Sequence, residues 1–469
     1  MTASIVMISE TLIERMARIV YTLVGVSLLP VLVGHLIWRG LRQSQYFFYW
    51  SERFIGLAVP RSEVEGRTAH AFADHRHQQV LWIHAVSVGE TRAAAPLIER
   101  WIAKGSQYRV VLTHTTPTGR ETGRSLFARF MERDPSAMGP RLVQRYLPYD
   151  LPWANGLFLS WARPTLGVLM ETELWPNLLA AAQARGIPVV LINARLSPRS
   201  AHRLQQFASL ARPAIRRLSG IAAQTRADAQ GFERALGHAL PDASLQIVGN
   251  MKFDITVPST MLVLGQVWRK RIGARPVWVA ASTRDDEELA LLAAWVDARA
   301  AGRLSNDLLV IVPRHPQRFD RVAKLIENSG LRLVRRSVWD DNGLEMDVLL
   351  GDSLGEMFAY LQLADLVLIG GSIPDLGGQN PIEACAVGRP VFFGRHMFNF
   401  HQIARALKAC QVGSEVADVG DWIVQGGALL SDPQAMSARS AAAIAFAGAH
   451  RGATVRTEAF LETILRAYG

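Results

Sequence analysis

Three glutamates occupy positions where a carboxylate could move a proton. Glu90 ends the segment HAVSVGE after the apolar run Val80 to His84, and Glu171 and Glu173 lie in METELWPN after Thr165 to Met170. A carboxylate at the mouth of a cleft can take a proton from an attacking hydroxyl, and two close, buried carboxylates raise the pKa of one of them. A glutamate at a helix start is also a common partner of the helix dipole, which is the alternative for Glu90.

The loop after the run Pro188 to Asn193 carries arginines and hydroxyl groups. In NARLSPRS, Arg195, Ser197, Arg199 and Ser200 come just before a predicted helix. Arginine with hydroxyls at a helix N-terminus can clamp a phosphate or a carboxylate. Helix capping with a solvated surface charge is the alternative.

The segment Gly370 to Phe400, GGSIPDLGGQNPIEACAVGRPVFFGRHMFNF, predicts a phosphate-binding loop. Four glycines let the backbone approach a ligand and expose its N–H groups; they are Gly370, Gly371, Gly377 and Gly378. Asn380 and Pro381 predict an N-cap and a first-turn proline of a helix whose positive dipole end faces the same ligand. We expect Glu383 in that turn to bind neutral hydroxyls such as those of a ribose. A Gly-rich connection with a dipole-stabilising glutamate is the alternative.

Three further loops in the second half follow predicted strands. In AASTRDDEE, Ser282 or Thr283 is the predicted N-cap of the next helix. The acidic run 285–288 could bind a metal, but consecutive residues do not share a helix face. We therefore reject a metal site and expect these carboxylates to stabilise the helix dipole. VPRHP offers Arg314 and His315 to a phosphate, and the backbone of GDSLGEM could bind the edge of a base.

Bulk properties restrict the function further. The formal charge is +10 with a pI near 10.0, which favours acidic partners such as anionic lipid or a phosphorylated substrate. The sequence lacks the Lys/Arg stripe with interleaved aromatics that is typical of nucleic-acid binding, so we expect no nucleic-acid partner. The two cysteines form no CxxC pair, which argues against structural zinc and a disulfide framework. The sequence has no GxGxxG after the first strand, no GxxxxGK[ST], no HExxH and no GxSxG. It therefore lacks the central motifs of dinucleotide-binding dehydrogenases, P-loop NTPases, zincins and α/β-hydrolases.

Alternating apolar runs and helical stretches predict two doubly wound α/β domains that face one another across a cleft. The predicted strands are 80–84, 109–113, 142–147, 165–170, 188–193, 220–224 and 245–248, then 276–280, 307–312, 331–334, 347–350, 365–369 and 390–393. The predicted domains are 1–44 as a membrane anchor, 45–250 and 251–431 as Rossmann-like domains, and 432–469 as helices packing back toward the N-terminal domain.

The anchor is Ile19 to Trp38, twenty residues without a formal charge, which matches the length of a membrane-spanning helix. Flanking arginines place the rest of the chain in the cytoplasm. A helix lying in one leaflet, followed by the aromatic-rich QSQYFFYW, is the alternative.

Carboxylates in the first domain and phosphate- and hydroxyl-binding loops in the second are typical of group transfer. We expect an activated nucleotide sugar to bind the C-terminal domain and its acceptor to bind the N-terminal one. The predicted acceptor or transition-state residues are Ser87, Gly89, Glu171, Glu173, Arg195, Arg199 and Ser200. The predicted donor-binding residues are Ser282, Thr283, Arg314, His315, Gly355, Glu356, Met357, Gly371, Ser372, Asn380 and Glu383.

Across nearly the whole chain, HAVSVGE, METELWPN, NARLSPRS, GNMKFD, AAST, VPRHP and GGQNPIEACAVGRPVFFGRHMFNF resemble the 3-deoxy-D-manno-octulosonic acid (Kdo) transferases of lipopolysaccharide synthesis. The resemblance implies a metal-independent, inverting glycosyltransferase with two Rossmann-like domains (GT-B type), CMP-Kdo as donor and a lipid A precursor, lipid IVA, as acceptor. It implies that Glu90 is the general base, that the donor contacts Arg314, His315, the Gly355 loop, Asn380 and Glu383, and that no cofactor is needed.

The sequence departs from this family at several positions. The family usually has a His where Gln379 stands, a Pro at Ala384 and at Arg395, and a His followed by an acidic-Gly pair at Arg284 to Asp286. Donor affinity or its pH dependence is expected to differ. The alternatives are a membrane-associated GT-B enzyme with a UDP- or ADP-sugar donor, and a non-catalytic scaffold that binds lipid.

Overall fold

The computed structural model describes residues 10–57, 79–134, 139–241, 243–255, 257–284, 287–339 and 345–468. Its strands are β1 Gln79–His84, β2 Tyr108–His114, β3 Arg133–Asp134, β4 Gly139–Pro140, β5 Leu142–Tyr146, β6 Leu166–Met170, β7 Val189–Ala194, β8 Gly220–Ala223, β9 Leu245–Ile247, β10 Val277–Thr283, β11 Leu308–Pro313, β12 Leu333–Arg335, β13 Val348–Leu350, β14 Leu366–Ile369, β15 Val391–Phe393 and β16 Gly413–Glu415.

The α-helices are α1 Leu12–Ser27, α2 Leu29–Arg42, α3 Trp50–Phe54, α4 Val88–Ala103, α5 Pro117–Met131, α6 Pro152–Ala162, α7 Pro176–Gln183, α8 Pro198–Gln206, α9 Ala208–Arg216, α10 Arg226–Leu236, α11 Ser259–Ile272, α12 Glu287–Ala300, α13 Phe319–Asn328, α14 Met357–Leu363, α15 Ile382–Ala386, α16 His401–Ala409, α17 Val419–Leu430, α18 Pro433–His450 and α19 Ala453–Tyr468.

The chain forms two compact units, Met1–Asp254 with Gly452–Gly469, and Ile255–Arg451. The predicted C-terminal segment 432–469 is therefore divided: α18 packs on α15 and α17 of the second unit, whereas α19 packs on α4 and β8 of the first. Its apolar face supplies Phe460, Leu461 and Ile464 to the core of the first unit.

Each unit contains a seven-stranded parallel sheet. The strand order is β5-β2-β1-β6-β7-β8-β9 in the first unit and β12-β13-β11-β10-β14-β15-β16 in the second. Strands such as β6 and β14 are buried at every position, as expected for sheets covered by helices on both faces. All thirteen predicted strands are present within a few residues of their predicted ends, while β16 and the β3-β4 pair were not predicted. Cys385 and Cys410 are free.

The prediction of one membrane helix from Ile19 to Trp38 is wrong, because α1 ends at Ser27 and α2 begins at Leu29 with Pro30 in its first turn. The two helix axes differ by 47°. Within the described part of the chain no single helix has the length and apolarity to cross a membrane, although α1 and α2 together meet both conditions.

Candidate active site

The site in the first unit lies where the strand order reverses, between β1 and its neighbour β6. Ligands of open parallel sheets bind beyond the carboxyl ends of the strands at such a switch point. After β1 come Ser87, the N-cap of α4, and then Gly89 and Glu90 in the first turn of this helix. The loop after β6 carries Glu171 and Glu173. The topology therefore brings together the carboxylates that the sequence analysis selected.

Glu90 is held at the start of α4 by its own loop. Ser87 is the N-cap: its hydroxyl accepts the Glu90 N–H at 3.4 Å and donates to Glu90 Oε1 at 2.9 Å, while Val86 N–H donates to Oε2 at 2.8 Å. The carboxylate is thus fixed by a capping arrangement, and Glu90 is only 9% exposed. The dipole-partner role and the candidate proton-transfer role coexist in one side chain.

Burial raises the pKa of Glu90 to about 7. The Val86 and Ser87 hydrogen bonds oppose this rise, whereas the negative charges of Glu171 and Glu173 add to it. A group whose pKa lies near the working pH is suited to accept a proton and release it again.

The neighbouring loop contains strained backbone and pairs with a cation that the sequence analysis missed. Glu171 has a left-handed φ of 60°, and its Oε1 pairs with Lys252 Nζ at 2.6 Å. Glu173 accepts a hydrogen bond from Trp175 Nε1 at 2.8 Å, and burial raises its pKa. Lys252 belongs to GNMKFD, a segment that carried the family resemblance but received no role.

Asn193 links the end of β7 to the segment that carries Lys252. Its φ is 48°, and its Oδ1 accepts the Met251 N–H at 3.0 Å. Beneath the loops, His84 and His114 are buried, and burial lowers the pKa of each to about 3, so both rings are neutral.

The arginine loop follows β7 at the same edge of the sheet. Ser197 is the N-cap of α8 and accepts the Ser200 N–H at 3.1 Å, with the two hydroxyls 2.9 Å apart. Arg195 and Arg199 are exposed, and neither pairs with a carboxylate of the described residues. The structure therefore shows the capping role for Ser197, with Ser200 as the residue whose N–H is capped.

In the second unit the strand order reverses between β10 and β14. Ser282, the residue before the end of β10, has a φ of 60°. Thr283 donates to Glu288 Oε1 at 2.7 Å, and Glu288 pairs with Arg318 at 2.7 Å in the interior. The prediction that Ser282 or Thr283 caps the next helix is wrong, since both residues belong to β10 and the Thr283 hydroxyl donates to a side chain. Asp285 and Asp286 of the acidic run lie outside the described residues.

The Gly-rich loop after β14 has left-handed backbone at three glycines and fewer open N–H groups than expected. Gly371, Gly377 and Gly378 have φ angles of 68°, 86° and 70°, which only glycine adopts without strain. Gly371 N–H donates to both oxygens of Glu287 at 2.8 Å, and Gly378 N–H donates to Gly371 O at 2.8 Å. Glu287 thus occupies an amide that we had expected a ligand anion to use, and burial raises its pKa to about 7.

Next to this loop lies a cavity of about 240 Å³. Thr283, Glu287, Gly370 and Pro374 contribute to its lining, with apolar side chains making up most of the rest. Ser372 is fully buried and bonds Ile369 O and Gly394 N–H, so its hydroxyl holds the loop together and does not face a ligand.

Asn380 precedes the short helix α15, and its Oδ1 accepts the Ile382 N–H at 3.1 Å. The prediction of Asn380 as N-cap and Pro381 in the first turn is wrong by one residue, because Pro381 is the N-cap residue. Its Nδ2 lies 3.5 Å from Glu383 Oε1, so the two side chains selected from the sequence are in contact. α15 has five residues, from Ile382 to Ala386.

The remaining candidates follow β11 and β13, the next two strands beyond β10 in the sheet. Arg314 and His315 are exposed, and Arg314 N–H donates to Thr283 O at 2.9 Å, which joins the loops after β10 and β11. Gly355 has a φ of 81°, Glu356 pairs with Arg336 at 2.9 Å, and Met357 begins α14.

Two of the departures from the family pattern lie against the same glycine. A Cβ added to Gly371 would be 3.5 Å from Arg284 Cδ and 3.7 Å from Gln379 Nε2. Arg395 is exposed and Ala384 is buried. Among the described residues, no group of three His, Cys, Asp or Glu side chains could hold a metal ion.

Comparison with known proteins gives consistent matches. A family model described as 3-Deoxy-D-manno-octulosonic-acid transferase (kdotransferase) matches residues 50–255. A 3-deoxy-D-manno-octulosonic acid transferase of Bordetella pertussis is 40% identical over 455 residues, 95% of this chain and 99% of that protein. One of Haemophilus influenzae is 36% identical over 347 residues, 73% of this chain and 77% of that protein.

Among solved structures, a UDP-GlcNAc 2-epimerase from Neisseria meningitidis bound to UDP-GlcNAc is similar with a TM-score of 0.50 and 14% identity, covering 83% of this chain and all of that one. At this identity the likeness shows the fold alone, two parallel-sheet α/β domains.

Proposed function

Because the chain belongs to the family of 3-deoxy-D-manno-octulosonic acid transferases, and is thus a glycosyltransferase, we propose that it moves Kdo from CMP-Kdo to lipid IVA, a lipid A precursor. Family membership contradicts the alternative of a non-catalytic lipid-binding scaffold.

The observation that carries the proposed mechanism is the buried Glu90 carboxylate at the switch point of the first unit, with its pKa near 7. Glu90 takes the proton of an acceptor hydroxyl. That oxygen attacks the anomeric carbon of Kdo, the bond from this carbon to the CMP phosphate oxygen breaks, and CMP leaves. A single displacement of this kind inverts the anomeric centre.

The second unit is proposed to hold CMP-Kdo at the loops after β10, β11, β13 and β14. Arg314 and His315 are exposed there and would bind the phosphate of CMP. Asn380 and Glu383 would bind its phosphate and ribose. Because these groups supply the stabilising charges, the transfer is proposed to need no metal. Activity that disappears in EDTA and returns with Mg²⁺ would contradict this.

We propose that the enzyme works on the cytoplasmic face of the inner membrane, held there by α1 and α2. The apolar outer face of α1, with Ile13, Ile19 and Leu23 each at least half exposed, supports this placement. The positive net charge suits an anionic leaflet and a phosphorylated acceptor.

The decisive experiment incubates the purified full chain with CMP-Kdo and lipid IVA, and determines by mass how many Kdo residues are added. Addition by the wild type and its loss in Glu90→Gln, with folding retained, is the expected result. No addition by the folded wild type would overturn the substrate assignment. Near-normal addition by Glu90→Gln would contradict the role of Glu90 as the general base.

A further inference from the structure

Helix α1 has its polar side inward and its apolar side outward. Toward the first unit, Glu14 pairs with Arg216 at 2.6 Å, and Thr22 Oγ1 accepts from Asn177 Nδ2 at 3.0 Å. Tyr21 is half-buried next to Asp150, and burial and the charge of that carboxylate raise the pKa of its hydroxyl. Soluble amphipathic helices have the opposite arrangement. The outward side therefore suits a lipid surface, while the inward side contacts the protein through specific polar groups.

The inward contacts converge on Asp150, a buried carboxylate. Its oxygens accept hydrogen bonds from Asn177 N–H at 3.0 Å, Leu178 N–H at 2.8 Å and Asn155 Nδ2 at 2.7 Å. Asn177 and Leu178 lie in the first turn of α7, where the backbone N–H groups have no partner within the helix. Asp150 thus anchors the start of α7, and Tyr21 and Thr22 of α1 join the same cluster.

The start of α7 is also the end of the loop that holds the carboxylates. Only residues 171–175 connect the end of β6 to α7. This carboxylate loop contains Glu171 and Glu173, and Trp175 at its end is the N-cap residue of α7 and donates to Glu173. With β6 fixed in the sheet, the geometry of the loop depends on where α7 begins.

We propose that Asp150 is a positioning residue through which Tyr21 and Thr22 of α1 set the geometry of the carboxylate loop around Glu90. One helix then both meets the membrane with its outer side and aligns the loop next to the general base with its inner side. This inference rests on the proposed function, since it assigns a consequence to the geometry around Glu90.

The charged groups facing Glu90 allow the effect of the carboxylate-loop geometry to be measured through the pKa of Glu90. Glu171 and Glu173 come from the carboxylate loop, Lys252 pairs with Glu171, and His84 and His114 below are neutral. Because the two carboxylate charges help to raise the pKa of Glu90, a loop that relaxes away lowers that pKa. A role limited to folding would not move the pH dependence of the reaction.

The test compares Tyr21→Phe/Thr22→Val, which removes two polar contacts of α1 at nearly constant volume, with Ser27→Ala, which removes an exposed hydroxyl from the same helix. Transfer from CMP-Kdo to detergent-dispersed lipid IVA is followed against pH. The double variant is expected to lose roughly tenfold in kcat, with the acid limb of its pH profile moved to lower pH and vesicle binding retained. Ser27→Ala is expected to behave as wild type.

An unchanged kcat and pH profile in the folded double variant would overturn the inference. If the double variant melts early, Tyr21→Phe alone is measured by the same two criteria, and a wild-type profile again overturns it. The outward variant Leu23→Ser should weaken vesicle binding while its acid limb stays in place; a shifted limb would show that the two sides of α1 are not separable. A folded wild type without any transfer would instead contradict the proposed function.

Discussion

Glu90 and Glu171 follow the neighbouring strands β1 and β6, and the negative charge of Glu171 helps to raise the pKa of Glu90 to about 7. Glu171 in turn pairs with Lys252 at 2.6 Å. The pKa of the proposed base therefore depends on a second carboxylate and on the cation that compensates its charge. Substitution of each partner should change the pH dependence of the reaction in its own way.

Replacing Glu90 by Gln should abolish function and increase stability. The folded-state pKa of about 7 lies above the ordinary 4.5, so ionising Glu90 opposes folding. This cost is absent below about pH 4.5, grows as the pH rises toward 7, and is then constant at up to about 3 kcal/mol. Urea unfolding at pH 8 should show Glu90→Gln more stable than the wild type, with the difference vanishing near pH 4.5. A less stable variant at pH 8 would contradict the raised pKa.

The pH profile of kcat/KM should have an acid limb near pH 7, below which Glu90 is protonated. Lys252→Met leaves the charge of Glu171 uncompensated next to Glu90, so the limb should move to higher pH. Lys252→Arg keeps the charge and serves as the control, with a limb close to that of the wild type. Equal displacement in both variants would show that Lys252 acts through its shape and not through its charge.

The strands and the loops that follow them could be predicted from the sequence because buried parallel strands are short apolar runs with polar loops at their ends. The segments of Glu90, Glu171 and Glu173 were identified in this way. Their proximity depends on the strand order β2-β1-β6, which one sequence does not reveal. Lys252 was missed because it lies 81 residues from Glu171 with no local pattern to connect them.

Long-range pairing also explains the wrong expectations. The Gly371 N–H was expected to be open, but its partner Glu287 lies 84 residues earlier, with no local pattern to connect the two. The break between α1 and α2 was indicated by Pro30, a residue that fits a first helical turn better than a helix interior. In that case the local signal was present and was outweighed by the uninterrupted apolarity of the segment.

Thermal unfolding should distinguish the proposed cytidine donor from a uridine donor. CMP at about 100 times its Kd should stabilise the wild type by about 2.7 kcal/mol, whereas UDP should have little effect. Gly371→Ala should lose the CMP response, because φ at this position is 68°, a conformation that strains any residue with a Cβ. Gly427→Ala, in open space on α17, is the control. Stabilisation by UDP but not by CMP would reject the donor assignment.

The outer face of α1 should bind anionic vesicles. In Ile19→Ser/Leu23→Ser two exposed apolar side chains are lost, each worth about 1.5 kcal/mol if buried in lipid, so the partition coefficient should fall by at least tenfold in a flotation assay. Val338→Ser removes an even more exposed apolar side chain from the second unit and should leave binding unchanged. Equal losses in both proteins would show that α1 is not the membrane contact.

Gln379 should make nucleotide binding less dependent on pH than a histidine at the same position would. Its Nε2 lies close to Gly371, and the resemblance to Kdo transferases implies that a His is usual there. A histidine with a pKa near 6.5 would attract the phosphate of CMP when protonated and lose that attraction as the pH rises. In Gln379→His the Kd for CMP should therefore increase several-fold between pH 6 and 8, while that of the wild type changes less. Gln434→His, exposed on α18, controls for the added charge. A flat profile in Gln379→His, measured by calorimetry, would place the phosphate away from this position.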